Sequence, residues 1–246
     1  MRTLILLQSF AHALRSTSTP NKSLGNIVKL SSIQWDDNIS ARIPSLVVFD
    51  LDMCLWKPEM FELNEIPTEK VFGDLGPYGR GVVGVKSGIE TIELFPDGLQ
   101  VLQEFYLGKY PNMKIATASA CSNPHAVRIG RKAMEMLEVL PGVTMRQVFA
   151  KGWEEGFEGN LQIGRTPPLT SDKATCHFPR LLEATKIPYS EMIFFDDCNW
   201  SDHCALVERA CPDIITQRTP QGLQRREWDV AFAKYEKKYN NNKSDI

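Results

Sequence analysis

The sequence predicts an α/β protein built on a doubly wound parallel sheet of the Rossmann-like type. Short apolar runs rich in β-branched residues recur along the chain, and segments with a helical pattern separate them. This alternation is typical of parallel strands joined by crossover helices. The chain has 246 residues, of which 43% are hydrophobic and 24% charged, so it is long enough for one such domain with insertions and a buried core.

The strand candidates are short apolar runs, and the strongest of them suit burial on both faces of a parallel sheet. These are Leu46–Phe49, 113–118 and 192–195, and the runs 143–150 and 213–217 are weaker candidates. Helical patterns fill the intervals at 97–107, 124–140, 174–185, 201–210 and 221–239. Pro96, Pro124 and Pro220 stand near helix starts, where a missing amide proton costs nothing.

Two stretches interrupt the alternation. Residues 57–94 are rich in glycine, and the segment 82–94 predicts a hairpin that turns at Lys86-Ser87-Gly88. Residues 152–171 have the glycine and proline content of a loop. Because neither stretch is long enough to form its own core, we interpret both as insertions in a single domain of residues 41–240, the first of them a small cap.

Residues 1–40 predict a targeting leader or a disordered N-terminus. No acidic residue occurs from Met1 to Trp35, whereas four basic residues and nine serines or threonines do. A basic, serine-rich and acid-poor segment is typical of a transit peptide, so we expect an organelle, either mitochondrion or plastid. The pattern Ala11-His12-Ala13 leaves a secretory signal as an alternative, and a merely disordered segment would suit a cytoplasmic protein.

Charge and cysteine content exclude several classes of protein. The formal net charge is −2, and beyond Trp35 the remaining 24 basic residues face all 30 acidic ones, a balance of −6. We therefore expect no nucleic-acid partner, and no apolar run is long enough to predict a membrane span.

The six cysteines lack the spacing of a disulfide framework, so we expect free thiols. A zinc site would lack a Cys-x-x-Cys pair; its candidate ligands are Cys198, His203, Cys204 and Cys211.

Polar residues follow the predicted strands, where ligands bind in a doubly wound sheet. Carboxylates gathered at one edge need a cation, and hard oxygen donors without histidine or cysteine favour Mg²⁺. Bound Mg²⁺ suits a phosphate substrate: one aspartate can attack phosphorus, and a second, two residues on, can protonate the leaving oxygen. A hydroxyl and an ammonium can hold the phosphoryl oxygens. The residues that follow strands are Asp50, Asp52, Ser119, Asp196 and Asp197, and Lys173 stands at the start of the helix that leads into the third strand.

With these motifs in this order, the sequence resembles the haloacid dehalogenase superfamily, and within it the magnesium-dependent phosphatase-1 family. The likeness covers about residues 44–235. The segments that carry it are 48–56 (VFDLDMCLW), 92–96 (IELFP), 116–119 (ATAS), 177–181 (HFPRL), 185–189 (TKIPY) and 192–197 (MIFFDD).

The resemblance implies a role for each matching residue. Asp50 is expected to be the nucleophile, Asp52 the general acid and base, and Ser119 and Lys173 the hydroxyl and lysine of the second and third motifs. Asp196 or Asp197 is expected to complete a Mg²⁺ site with the Asp50 carboxylate and the Asp52 main-chain carbonyl. A small cap implies an open site, which would admit sugar phosphates or phosphorylated protein side chains.

Three positions depart from the family pattern. Cys54 stands where the family usually has threonine, and Ala120 takes the substrate-binding position where arginine often follows the serine. Lys173 lies one residue further from His177 than the family spacing, which leaves Lys151 as an alternative lysine. A slip of one residue turns a helical side chain by about 100°.

The sequence thus predicts a Mg²⁺-dependent phosphomonoesterase of the acid phosphatase type that works through an aspartyl-phosphate. Its substrate is expected to be a small phosphate ester or a phosphoprotein, including substrates like phosphotyrosine. The alternative from another class is a non-catalytic module that binds phosphate or protein, and a third possibility is phosphotransfer to a sugar acceptor.

Overall fold

The structure, a computed structural model, describes residues 42–121, 123–165 and 170–241. The predicted leader of residues 1–40 and part of the predicted 152–171 loop lie outside the described residues. The strands are β1 (Leu46–Phe49), β2 (Trp56–Lys57), β3 (Glu69–Asp74), β4 (Arg80–Ser87), β5 (Glu90–Leu94), β6 (Lys114–Ser119), β7 (Glu138–Leu140), β8 (Val143–Thr144), β9 (Leu161–Ile163), β10 (Met192–Asp196) and β11 (Ile215–Arg218). The helices are α1 (Pro96–Tyr106), α2 (Pro124–Met136), α3 (Met145–Ala150), α4 (His177–Thr185), α5 (His203–Ala210) and α6 (Arg225–Asn241).

A five-stranded parallel sheet forms the centre of the domain, with the strand order β11-β10-β1-β6-β9. Every residue of β1 and β10 is buried. Alternate residues of β1 enter two separate cores: Val47 and Phe49 pack in one, Leu46 and Val48 in the other. Because successive side chains of a strand point to opposite faces, the two cores lie on opposite faces of the sheet. Helices therefore cover both faces. The predicted doubly wound parallel sheet is confirmed.

The larger core lies against α1, α2 and α6, and the smaller one against α4 and α5. In the larger core the rings of Phe49, Phe195 and Trp228 stack on one another, with centroid separations between 5.5 and 6.2 Å. Phe49 and Phe195 are paired across β1 and β10. This packing fixes the ends of the two central strands, after which the polar residues of interest follow.

The glycine-rich segment forms a second sheet, antiparallel, with the order β2-β5-β4-β3. It includes the predicted hairpin, but the turn lies at Gly88-Ile89, since Ser87 still pairs with Glu90. The predicted turn at Lys86-Ser87-Gly88 was therefore misplaced. Gly88 has φ +61°, a left-handed conformation that glycine adopts without the steric cost of a side chain.

Three other predictions of secondary structure were wrong. Of the predicted strand 143–150, only Val143–Thr144 is a strand, and the rest is helix α3, which a capping box between Thr144 and Gln147 initiates. The predicted helix 124–140 ends at Met136, and Glu138–Leu140 is a strand. The predicted loop 152–171 contains Leu161–Ile163, the edge strand of the central sheet.

All six cysteines carry free thiols, and five of them are buried. Across the described ranges, none of the helices has the length and apolar character that a membrane span requires.

Candidate active site

Neighbouring parallel strands bring the predicted polar residues to one edge of the sheet. Asp50 directly follows β1, while Ser119 and Asp196 are the last residues of β6 and β10. Phe49 pairs with Phe195, and the Asp50 amide donates to the Phe195 carbonyl over 2.9 Å. The main chain of two buried strands therefore holds Asp50 beside Asp196.

Three carboxylates converge at this edge. Asp50, Asp196 and Asp197 each offer an oxygen, and these oxygens lie within 4.8 Å of one another. All three residues are buried, and backbone amides orient them: Leu51 N donates to Asp50 Oδ1 over 2.8 Å, and Cys198 N to Asp196 Oδ1 over 2.8 Å. The donor set contains oxygen alone, which fits a hard divalent cation such as Mg²⁺.

Lys173 supplies the positive charge at this cluster. Its ammonium lies 2.8 Å from Asp50 Oδ2 and 2.5 Å from Asp196 Oδ2, and the side chain is 1% exposed. Burial lowers the pKa of Lys173, but the charges of Asp196 and Asp50 outweigh burial and raise it, so the ammonium stays charged.

The alternative lysine, Lys151, lies at the end of α1 instead. Its ammonium donates to the carbonyls of Phe105 and Tyr106 over 3.1 and 2.6 Å. There its positive charge lies at the carboxyl end of the helix, where carbonyl groups attract a cation. The structure thus places Lys173 at the carboxylates and Lys151 away from them.

The pKa values of two of these carboxylates, Asp50 and Asp197, are raised. Burial raises the pKa of Asp50, and the charge of Lys173 opposes that shift. Burial and the charge of Asp196 raise the pKa of Asp197 to about 6. One buried ammonium thus faces three carboxylates, and a bound cation would balance the remaining negative charge.

Asp52 lies outside the group of three converging carboxylates, although it lines the same cleft. The Trp56 indole donates to its Oδ1 over 2.7 Å, and the Met60 amide donates to its Oδ2 over 3.1 Å. Burial raises the pKa of Asp52 to about 7, although both hydrogen bonds oppose the shift. A carboxyl group that titrates near neutrality can serve both as an acid and as a base.

Ser119 and Ala120 line the cleft at the end of β6, which lies on the other side of β1 from β10. Ser119 is 1% exposed, and its carbonyl accepts from the Gly164 amide over 2.8 Å. Ala120 offers no polar side chain, and its carbonyl accepts from Nε of Arg165 over 2.7 Å. Cys54, the other departure, is fully buried, and burial raises the pKa of its thiol.

The cleft has a volume of about 250 Å³ and includes side chains that sequence reasoning missed. Phe61 and Trp200 meet edge to face with their centroids 5.7 Å apart, and the Trp200 indole donates to Glu59 over 2.7 Å. No local pattern marks these residues, because tertiary packing brings them together. The lining residues that the sequence did not assign to a phosphatase site are Glu59, Phe61, Cys121, Arg165, Asn199, Trp200 and His203, the last of which was only a candidate zinc ligand.

Comparison with known proteins gives three findings. The family described as Acid Phosphatase matches residues 42–238. Magnesium-dependent phosphatase 1 of Homo sapiens is 27% identical over 157 residues, which cover 64% of this chain and 69% of the relative. A solved structure of the N-terminal part of a Bacteroides fragilis protein, containing a phosphatase domain complexed with Mg, is 13% identical with a TM-score of 0.37; the match covers 74% of this chain and 38% of that one.

Proposed function

The chain belongs to the Acid Phosphatase family, and on that premise we propose that this phosphatase hydrolyses phosphate monoesters with Mg²⁺ through an aspartyl-phosphate on Asp50. The convergence of three buried carboxylates and one ammonium at the cleft is the observation that carries the proposal. A fold that needed only stability would gain little from gathering three acids in its interior, because their mutual repulsion and desolvation are costly.

Asp50, Asp196 and Asp197 would hold the ion through their carboxylates, and Asp52 through its main-chain carbonyl. When bound, the ion supplies positive charge that offsets the repulsion between the Asp50 carboxylate and an anionic phosphoryl group. The name of the human relative, magnesium-dependent phosphatase 1, supports this choice of metal.

In the first step a carboxylate oxygen of Asp50 attacks phosphorus, and the bond between phosphorus and the ester oxygen breaks. Asp52 gives its proton to that oxygen, so the alcohol leaves as a neutral molecule. In the second step Asp52 takes a proton from a water molecule that attacks phosphorus. The bond between Asp50 and phosphorus then breaks, releasing inorganic phosphate. Ser119 and Lys173 stabilise the phosphoryl oxygens throughout.

We propose sugar phosphates or phosphorylated protein side chains, including phosphotyrosine, as the substrate class. The second sheet is small, and the cleft of about 250 Å³ reaches the surface beside Phe61 and Trp200, which are 41% and 74% exposed. A site of this kind leaves room for the part of the substrate beyond the phosphate.

The test is hydrolysis of p-nitrophenyl phosphate with and without Mg²⁺. We expect turnover that needs the ion and that Asp50→Asn abolishes, while the control Asp229→Asn, at an exposed position of α6, behaves as the parent. Absence of Mg²⁺-dependent turnover with retained phosphate binding would favour the non-catalytic module. If added alcohols divert the product from free phosphate, the protein is a phosphotransferase instead.

A further inference from the structure

We propose that Arg165 is a substrate-binding residue whose guanidinium contacts the non-bridging oxygens of the phosphoryl group. This inference rests on the proposed function and names a residue that determines how tightly that same site holds its substrate. Three features of the described residues support it: the charge of the cleft, the position of Arg165 in the sheet, and the free donors of its side chain.

The cleft has an excess of negative charge that a phosphate substrate must overcome. Its lining includes two strongly basic residues, Lys173 and Arg165. Lys173 is buried and already engaged by two carboxylates. Arg165 is exposed and makes no ion pair with any described residue. The acidic residues of the lining are Asp50, Asp52, Glu59 and Asp197.

Strand register places Arg165 next to the residues that would bind the phosphoryl group. Ile163, the last residue of β9, pairs with Ser119, the last residue of β6. The Gly164 amide then donates to the Ser119 carbonyl over 2.8 Å. Arg165 is the next residue and lies beside Ala120 at the same edge of the sheet. In the strand order, β9 and β10 lie on opposite sides of β1, so the Arg165 side chain reaches the cleft from the side opposite Asp197.

One nitrogen of the guanidinium, Nε, is anchored. Nε donates to the Ala120 carbonyl over 2.7 Å. The side chain makes no other hydrogen bond within the described part of the chain. The two terminal nitrogens have no hydrogen-bond partner among the described residues, and the anchored Nε limits their orientation. Two parallel donors of an arginine match two oxygens of a phosphate, which gives a bidentate contact stronger than a single neutral hydrogen bond.

The positive charge of Arg165 acts on other side chains of the cleft lining. Burial raises the pKa of the Cys121 thiol, and the charge of Arg165 opposes that shift. Burial lowers the pKa of the His203 imidazole, and Arg165 adds to that shift. Cys121 follows β6 and His203 begins α5 after β10, and both side chains line the cleft with Arg165.

The test compares Arg165→Met and Arg165→Lys with Arg226→Met, a matched control at an exposed position of α6. For Arg165→Met we expect the KM for p-nitrophenyl phosphate to rise about tenfold or more, as befits a lost hydrogen bond to a charged group, with little change in kcat. The inhibition constant of inorganic phosphate should rise by the same factor. Arg165→Lys should recover part of the affinity, since it keeps the positive charge but loses the two parallel donors of the guanidinium.

Calorimetric titration of inorganic phosphate into the Mg²⁺-loaded protein separates this inference from the proposed function. If the parent protein has no turnover, the proposed function fails, yet weaker phosphate binding by Arg165→Met than by the parent still supports the contact. Equal phosphate binding by the two proteins overturns it. A loss of affinity confined to substrates with a second anionic group, with inorganic phosphate unaffected, also overturns the contact with the phosphoryl oxygens.

Discussion

The Lys173 ammonium lies 2.8 Å from the Asp50 carboxylate, in a position where the lysine side chain is 1% exposed. The same ammonium lies 2.5 Å from Asp196, so a single cation bridges the residue that follows β1 and the last residue of β10. Removing one partner of a buried ionic group is costly, because the remaining charges lose their compensation and cannot regain water.

Lys173→Met should lower the free energy of unfolding by about 3–5 kcal/mol when Mg²⁺ is absent, and it should abolish phosphatase activity. Lys151→Met is the matched control. It removes hydrogen bonds to two carbonyls at the end of α1, so it should cost only about 1–2 kcal/mol and leave activity intact. Urea unfolding and turnover measure both effects. Loss of activity in Lys151→Met alone would show that the lysine has been misassigned.

Mg²⁺ should stabilise the folded protein independently of any substrate. The three carboxylates converge only in the folded chain, so the ion binds that state in preference and raises the free energy of unfolding by about 2.7 kcal/mol at a concentration of about 100 times its dissociation constant. A chelator should reverse the effect. Asp197→Asn should reduce the stabilisation, whereas Asp229→Asn should retain it. A melting temperature that does not respond to Mg²⁺ in the parent protein would contradict the proposed metal site.

Asp52→Asn should separate the two chemical steps. Under the proposed mechanism, the leaving group of p-nitrophenyl phosphate needs little protonation, so Asp50 would still be phosphorylated, but attack by water would lack its base. Rapid-quench kinetics should then show a burst of nitrophenol of about one per site, followed by turnover slowed by about 10²–10⁴-fold. With an alkyl phosphate, which needs the acid, no burst should appear. Linear kinetics at the parent rate would exclude Asp52 as the acid and base.

The central strands could be predicted from the sequence because burial on both faces leaves a strong local signature. Leu46–Phe49 is apolar and completely buried, and its observed bounds are those predicted. Leu161–Ile163 gave no such signature: it has three residues, with Gln162 in the middle and glycines close on either side. It is a strand because β6 pairs with it, and that tertiary contact is not encoded in the local pattern.

The residues of the candidate site likewise fall into two groups, those that local sequence predicts and those that only tertiary packing brings to the cleft. Asp50 and Asp196 were placed by the strands that precede them, so local sequence was sufficient. The sequence does not single out Arg165, because the composition of residues 152–171 indicates a loop, and only an arginine two residues after a recognisable strand would be a candidate. Trp200 and Phe61 lie far apart in sequence and meet only through packing, which local pattern does not reveal.

Glu191 should make stability depend on pH in the acidic range. Four side chains donate to its carboxylate, at distances from 2.6 to 3.1 Å: those of Arg42, Ser45, Tyr235 and Tyr239. Burial raises the pKa of Glu191, but these hydrogen bonds outweigh burial and lower it to about 2. They connect the segments before β1 and β10 with α6, so ionised Glu191 stabilises the fold.

Because the folded pKa lies below the unfolded value of about 4.3, this stabilisation is complete above the unfolded pKa and is lost as the pH falls toward the folded one. Glu191→Gln should therefore be less stable than the parent near neutrality, and the difference in free energy of unfolding should shrink between about pH 4.5 and pH 2. Urea unfolding at a series of pH values measures it. Glu183→Gln, at an exposed position of α4, should cost little at any pH. A deficit in Glu191→Gln that stays constant with pH would mean that the carboxylate charge contributes nothing to the network.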